Sequence, residues 1–235
     1  MVVAFELNLP EVLERLERIG PKLRIIIDDS SNLRTKTNGQ TAGTDKAASN
    51  SPESRSAARL QAAGAQVQRQ HMSALQHNKM IIVDGPTVKK VVLGSTNFSW
   101  RGFFVQANNL IMVQGAPIVA QQISAFDAYW GGTTASFANS AAADWRSLGV
   151  SGLDAKISMS PHSATHATQT TIAADIDLAK GSLFYSLAFL SQTTGPVTEA
   201  IKQAAARADL FVYGMADKPT GFSLMQPGGN PVTMS

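Results

Sequence analysis

The sequence predicts an α/β fold, a layered α-β-α sandwich built on a mixed sheet. Three observations predict it. Apolar runs of strand length alternate with segments of helical periodicity along most of the 235 residues. Two such runs, residues 80–83 and 88–93, are joined by Asp84-Gly85-Pro86, which reads as a hairpin turn. A strand–helix–strand pattern occurs twice, over residues 2–29 and again over 182–217.

Residues 2–5 are apolar and strand-like. Residues 10–19 begin with proline, a good first helical residue, and place Val12, Leu13, Leu16 and Ile19 at helical spacing. Residues 23–27 form the next strand and run into Asp28-Asp29. Residues 30–52 are rich in Ser, Thr, Asn, Gly and Ala without periodicity, and read as a long flexible loop. Residues 53–63 read as a helix ended by Gly64. After the hairpin, residues 98–104 read as a short turn or helix and 110–113 as a strand. Residues 117–130 read as a helix with Ile118, Ile123, Phe126 and Trp130 facing the core, ended by Gly131-Gly132. Residues 133–149 read as a connector, 154–160 as a strand and 170–179 as a helix. Strand 183–187, helix 196–206 and strand 210–213 then repeat the opening pattern, with Val197, Ile201, Ala204 and Ala205 at helical spacing.

Composition sets broad bounds. An apolar content of 44% supports a sizeable core in one or two domains. With no cysteine there are no disulfides and no thiolate metal sites. No apolar run approaches the roughly 18–20 residues that span a bilayer. Residues 1–5 are too short, and lack the basic start, of a signal peptide. These features suit a soluble protein, cytoplasmic or secreted. The net charge of +3 is unevenly placed. Between residues 31 and 76 lie six basic side chains (Arg34, Lys36, Lys46, Arg55, Arg59, Arg69) against Asp45 and Glu53. This is either a solvated loop or a surface for an anionic partner, a phospholipid headgroup or nucleic acid. The stretch carries no Phe, Trp or Tyr, so it offers no platform for stacking bases.

The chemistry concentrates in His77-Asn78-Lys79-Met80-Ile81-Ile82-Val83-Asp84, followed by Gly94-Ser95-Thr96-Asn97. Residues two apart on an extended segment point the same way, so His77 and Lys79 share a face, and Asp84 has the opposite parity. The hairpin returns Ser95 and Asn97 to the neighbourhood of His77 and Lys79. A nucleophile or base, a fixed cation and two short hydrogen-bonding side chains then surround one small volume, a set that suits a phosphate diester.

This pattern resembles the phospholipase D superfamily, whose signature is H-x-K-x4-D with a trailing G-S-x-N. The resemblance implies attack on phosphorus by a neutral imidazole, His77, to give a covalent phospho-histidine. It implies a phosphate cradle of Lys79, Ser95 and Asn97, a structural role for Asp84 within the catalytic motif, and no cofactor or metal. It implies a phosphodiester substrate, with phospholipid favoured over nucleic acid. Many members place a carboxylate after G-S-x-N to orient the histidine; here the stretch is Gln106-Ala107-Asn108-Asn109, and Asn108 is the candidate for that position.

Only one such motif is present. The leaving alkoxide needs a proton from an acid, and in the family that acid is the histidine of a second motif. None of His71, His162 and His166 is followed by lysine two residues later. His162 and His166, in Ser-Pro-His-Ser-Ala-Thr-His, read as a metal pair or as loop or substrate-facing histidines. The expected organisation is a first repeat over residues 1–132, lacking its N-terminal part, a connector over 133–150, and the start of a second repeat over 151–235. The second motif would come from further polypeptide or from a dimer partner; without it the 235-residue chain is expected to be nearly inactive, and the alternatives are a nuclease of the same superfamily or an inert binding module.

Overall fold

The computed structural model describes residues 1–30, 48–72, 75–166, 168–188, 190, 194–216, 223–225 and 231–233. Residues 31–47, most of the expected loop with three of its six basic side chains, lie outside these. The chain divides into two compact units, residues 1–163 and 164–235.

The first unit is built on a six-stranded sheet. Strands β1 (Val2–Ala4), β2 (Arg24–Asp28) and β3 (Gln66–Gln70) are mutually parallel; β4 (Met80–Asp84), β5 (Lys89–Gly94) and β6 (Leu110–Gln114) continue the sheet antiparallel. The order is β3-β2-β1-β4-β5-β6, so the sheet is mixed, as expected. The apolar runs Val2-Val3-Ala4 and Ile25-Ile26-Ile27 lie at its centre and are buried on both faces.

Helices cover the two faces. Helix α1 (Pro10–Ile19) and helix α2 (Pro52–Ala62) place Leu13, Leu16, Ala57 and Leu60 against Val2, Ala4, Ile25 and Ile27. On the other face α4 (Ala116–Trp130) and α5 (Thr134–Ala138) bring Ile118, Phe126, Tyr129 and Phe137 against Val3, Ile26, Met80, Ile82 and Val91. Between the hairpin and β6 stands the short helix α3 (Trp100–Phe104). Helix α2 starts at Ser51, whose Oγ accepts from Ser54 N at 3.1 Å. It ends in a Schellman turn: Ala65 N bonds Leu60 O, Gly64 N bonds Gln61 O, and Gly64 takes φ +89°.

Two features depart from the sequence reading. Strand β3, Gln66-Val67-Gln68-Arg69-Gln70, was not expected. It is an edge strand with a single apolar residue, placed by its ladder with β2 and not by burial. Residues 133–149, expected as a connector, pack into the first unit: Phe137, Ala142 and Ala143 are buried in its core. Strand β7 (Arg146–Ser147) pairs with β8 (Lys156–Ile157), a two-residue remnant of the strand expected over 154–160. Of the basic side chains in the described part of the 31–76 stretch, Arg59 makes a bidentate pair with Glu17, Arg69 pairs with Asp29, and Arg55 donates to Asn50 O.

In the second unit α6 (Thr168–Asp177) packs on α7 (Pro196–Ala205), which connects the parallel strands β9 (Ser182–Leu187) and β10 (Phe211–Ala216). This is the strand–helix–strand arrangement of β1-α1-β2. One face of the pair carries Phe184, Phe211, Tyr213 and Met215, all exposed. Strands β11 (Ser223–Met225) and β12 (Pro231–Thr233) form a separate antiparallel pair.

Candidate active site

Strand direction gathers the site. Parallel β1 and β2 end at one edge of the sheet. Antiparallel β4 begins there, β5 ends there and β6 begins there. Residues 5–6, 28–30, 77–79, 94–97 and 108–109 therefore share one end of the sheet.

At that end the His77 imidazole meets the Phe5 ring edge-on, with centroids 4.5 Å apart. Lys79 is 4% exposed. Its ammonium lies 4.9 Å from the same Phe5 centroid and donates to the His77 carbonyl. Burial, helped by the neighbouring Lys79 charge, pushes the His77 pKa down to about 4. Burial also lowers Lys79 to about 8, against the opposing pull of the Glu6 and Asp28 carboxylates. Near pH 7 the histidine is thus neutral and the lysine is charged.

The backbone ahead of His77 is tied down by Asp28, a buried carboxylate whose pKa is raised by burial against the hydrogen bonds it accepts. Gln76 N donates to it at 2.6 Å, and Ser30 donates through both N and Oγ. The Gln76 side chain accepts from Asn78 Nδ2 at 2.7 Å and donates to Gln70 Oε1 at 2.9 Å. Asn78 Nδ2 also donates to Tyr129 Oη at 3.0 Å, and Tyr129 Oη donates to Ser160 O at 2.5 Å. A cleft of about 210 Å³ opens beside His77, lined by Met72, Leu75, Gln76, His77, Asn78, Ser160 and Pro161.

The G-S-x-N segment follows from close packing. A Cβ on Gly94 would lie 2.2 Å from Asn109 O, so no larger residue lets β5 pass β6 here. Ser95 Oγ donates to Asn108 Oδ1 and accepts from Asn109 N, each at 3.0 Å. Asn97 is 7% exposed, and its Oδ1 has no hydrogen-bond partner among the described residues. Ser99 Oγ donates to Glu6 Oε2 at 2.6 Å and caps α3 by accepting from Gly102 N at 3.1 Å. Gly102 is required because a Cβ would sit 2.2 Å from Asn97 O.

His77, Lys79, Ser95 and Asn97 therefore lie at one end of the sheet. Asp84 does not join them. It stands at the opposite end of β4, about 20 Å along the strand from His77, and pairs with Lys89 across the hairpin. Asn108 lies at the site end, but its side chain bonds Ser95, Gly102 O and Gln106 Oε1, not the imidazole it was expected to orient. His162 Nε2 lies 2.8 Å from Ser158 Oγ, in the first unit, and His166 belongs to the second. Sequence reasoning missed Phe5, Glu6, Asp28 and Tyr129. The one signal available was the carboxylate pair Asp28-Asp29 directly after an apolar strand.

The family model described as "Cardiolipin synthase, PLD-like domain" matches residues 6–130. No curated protein matches the chain. Among solved structures, Nuc, a phospholipase D family member from Salmonella typhimurium, aligns over 55% of this chain and 75% of its own, at 19% identity and a TM-score of 0.41. Polyphosphate kinase from Porphyromonas gingivalis aligns over 93% of this chain, at 12% identity and a TM-score of 0.55, and this chain spans 34% of that one. The second likeness concerns fold alone. Among the described residues no helix is long and apolar enough to cross a membrane. With the family model matching more than half of its length, and over the residues that build the site, the chain belongs to the phospholipase D superfamily, with a PLD-like domain.

Proposed function

We propose that this chain carries the catalytic half-site of a phospholipase D-type phosphodiesterase acting through a phospho-histidine. One observation carries the reading: a neutral imidazole and a buried ammonium share one end of the sheet with the Gly94–Asn97 turn. His77 attacks phosphorus with its free lone pair, the first alkoxide leaves with a proton, and water then releases the second product from the phospho-imidazole. Lys79 balances charge on the non-bridging oxygens. Ser95 and Asn97 supply hydrogen bonds, Ser95 by exchanging its bond to Asn108 for one to the phosphate. The proton for the leaving group comes from a second motif, in further polypeptide or in a partner chain.

A lipid-type diester is favoured over nucleic acid. The helix that Ser99 caps presents Trp100, Phe103 and Phe104 to solvent directly after the cradle, with Leu110, Ile111 and Met112 of β6 also exposed. Apolar surface beside the phosphate site suits a lipid substrate. The described arginines of the basic stretch, meanwhile, are engaged with Glu17, Asp29 and a backbone carbonyl.

The test is hydrolysis of bis(p-nitrophenyl) phosphate by this chain joined to a second motif, in further polypeptide or in a partner, since the chain alone is expected to be nearly inactive. Turnover is expected to vanish in His77→Ala and to fall about 10²–10³-fold in Lys79→Ala, the usual loss for one preorganised charge-stabilising group. Equal rates for wild type and His77→Ala would remove the catalytic reading. Steep loss of duplex-DNA binding between about 50 and 200 mM salt would turn the substrate preference to nucleic acid.

A further inference from the structure

We propose that Glu6 is a positioning residue of the phosphate site: held by Ser99, its carboxylate stands as a counter-charge near Lys79 without taking the ammonium donors that a phosphate needs. The proposal rests on the phosphodiesterase reading above and adds what that reading leaves open, how a buried cation stays both charged and free.

The difficulty is burial. Lys79 is 4% exposed, so its ammonium has lost most of its hydration. A carboxylate in direct contact would balance the charge, but it would also occupy the place a phosphate enters. Lys79 avoids that contact. Among the described residues no carboxylate forms an ion pair with it, and its one hydrogen bond goes to the His77 carbonyl. Two of the three N–H donors of the ammonium are left for a ligand.

Three titratable groups surround it. His77 adjoins it on the same segment and is neutral near pH 7. Asp28 reaches it from β2, but that buried carboxylate already accepts from Gln76 N, Ser30 N and Ser30 Oγ. Glu6 reaches it from the end of β1, and its charge supports the ammonium more than that of Asp28 does.

Glu6 is half-buried and held at both backbone and side chain. Phe98 N donates to its carbonyl at 3.1 Å, and Asn8 N and Leu9 N each donate to Phe98 O at 3.0 Å, so the segment is stitched to the residue after G-S-x-N. Ser99 Oγ donates to Glu6 Oε2 at 2.6 Å. Ser99 is itself 3% exposed and fixed by the bond from Gly102 N that caps α3. The same strut ties the carboxylate to the turn that carries Ser95 and Asn97. Without Ser99 the carboxylate loses its donor and is drawn onto the Lys79 ammonium.

The experiment follows Lys79 by NMR across pH, in the whole chain with lysine labelled at the ε-carbon and the signal assigned by its loss in Lys79→Arg. Wild-type Lys79 is expected to lose its proton near pH 8. Glu6→Gln keeps an oxygen for Ser99 and removes only the charge, and Lys79 is then expected to lose its proton about one pH unit lower. A carboxylate that merely braced the fold would act the other way, since its loss would admit water and move Lys79 up toward the ordinary lysine range. Binding of dimethyl phosphate at about pH 6, where Lys79 is charged, is the second readout. Ser99→Ala is expected to bind about tenfold more weakly than wild type, the worth of one charge-assisted hydrogen bond, because Glu6 closes on the ammonium. Adding Glu6→Gln to Ser99→Ala is expected to recover most of that loss, which a damaged helix cap would not allow. A Lys79 that is unmoved or raised in Glu6→Gln overturns the proposal, as does undiminished binding in Ser99→Ala or a loss there that Glu6→Gln leaves in place. If Ser99→Ala fails to fold, the Glu6→Gln titration decides alone. The expected titration in a chain that hydrolyses no diester when joined to a second motif sinks the phosphodiesterase reading and leaves the role of Glu6 standing. Hydrolysis that His77→Ala abolishes, with Lys79 unmoved by Glu6→Gln, does the reverse.

Discussion

At the scale of single residues, the site depends on two bases whose pKa values burial lowers. His77 must be neutral to attack, and Lys79 must be charged to hold the phosphate. With His77 lowered to about 4 and Lys79 to about 8, hydrolysis is expected to rise with pH through about 4, as imidazolium loses its proton. It should then decline as pH passes about 8 and the ammonium is lost. A kcat/KM profile with its acid limb near 6.5 would place His77 in ordinary solvent. The glycine of G-S-x-N makes a separate prediction. Gly94→Ala drives a methyl against the Asn109 carbonyl, so a loss of about 1–3 kcal/mol in urea unfolding is expected. His77, Lys79, Ser95 and Asn97 were legible in the sequence because they lie within twenty-one consecutive residues of one hairpin. Phe5, Glu6, Asp28 and Tyr129 reach the same place from β1, β2 and α4, and nothing in their local spacing announces it. Asn108 was placed at the right end, but an amide has several ways to be satisfied, and Ser95 and Gly102 satisfy it first.

At the scale of elements, legibility followed burial. Helices α1 and α7 start on proline and carry an apolar stripe, so the expected starts at residues 10 and 196 coincide with those observed. Strand β3 has a polar sequence because an edge strand takes its place through ladder hydrogen bonds, which leave no trace in hydropathy. Helix α5 and the alanine-rich turn after it were read as a connector because small residues bury without a strong periodic signal; Phe137 alone marked them. The Schellman turn after α2 gives the sharpest test at this scale. Gly64→Ala forces an L-residue to φ +89°, with its Cβ 3.1 Å from the Pro21 ring. A destabilisation of about 1–2 kcal/mol is expected in chemical denaturation, with an unchanged m-value.

At the scale of the whole molecule, alternating strands and helices pointed to a mixed sheet with helices on both faces, and the first unit has that form. The repeated strand–helix–strand was legible as well, since β1-α1-β2 and β9-α7-β10 are both parallel pairs joined by a proline-started helix. The extent of the first unit was not, because its last core residue, Met159, lies well beyond the expected boundary at residue 132. The sheet also keeps its two ends apart in kind. One end gathers the reacting groups, and the other carries the β4–β5 hairpin with Pro86 and Thr87 exposed at its tip. That tip is a natural attachment point for engineering. A flexible fluorescent tag or a surface tether spliced between Pro86 and Thr87 lengthens a loop that is already solvent-borne, at an entropy cost that grows only slowly with insert length. Such a chimera is expected to melt within a few degrees of the parent and to hydrolyse bis(p-nitrophenyl) phosphate with the same kcat/KM, so that the protein can be immobilised on a bead or sensor chip by one end with its chemistry facing the solution.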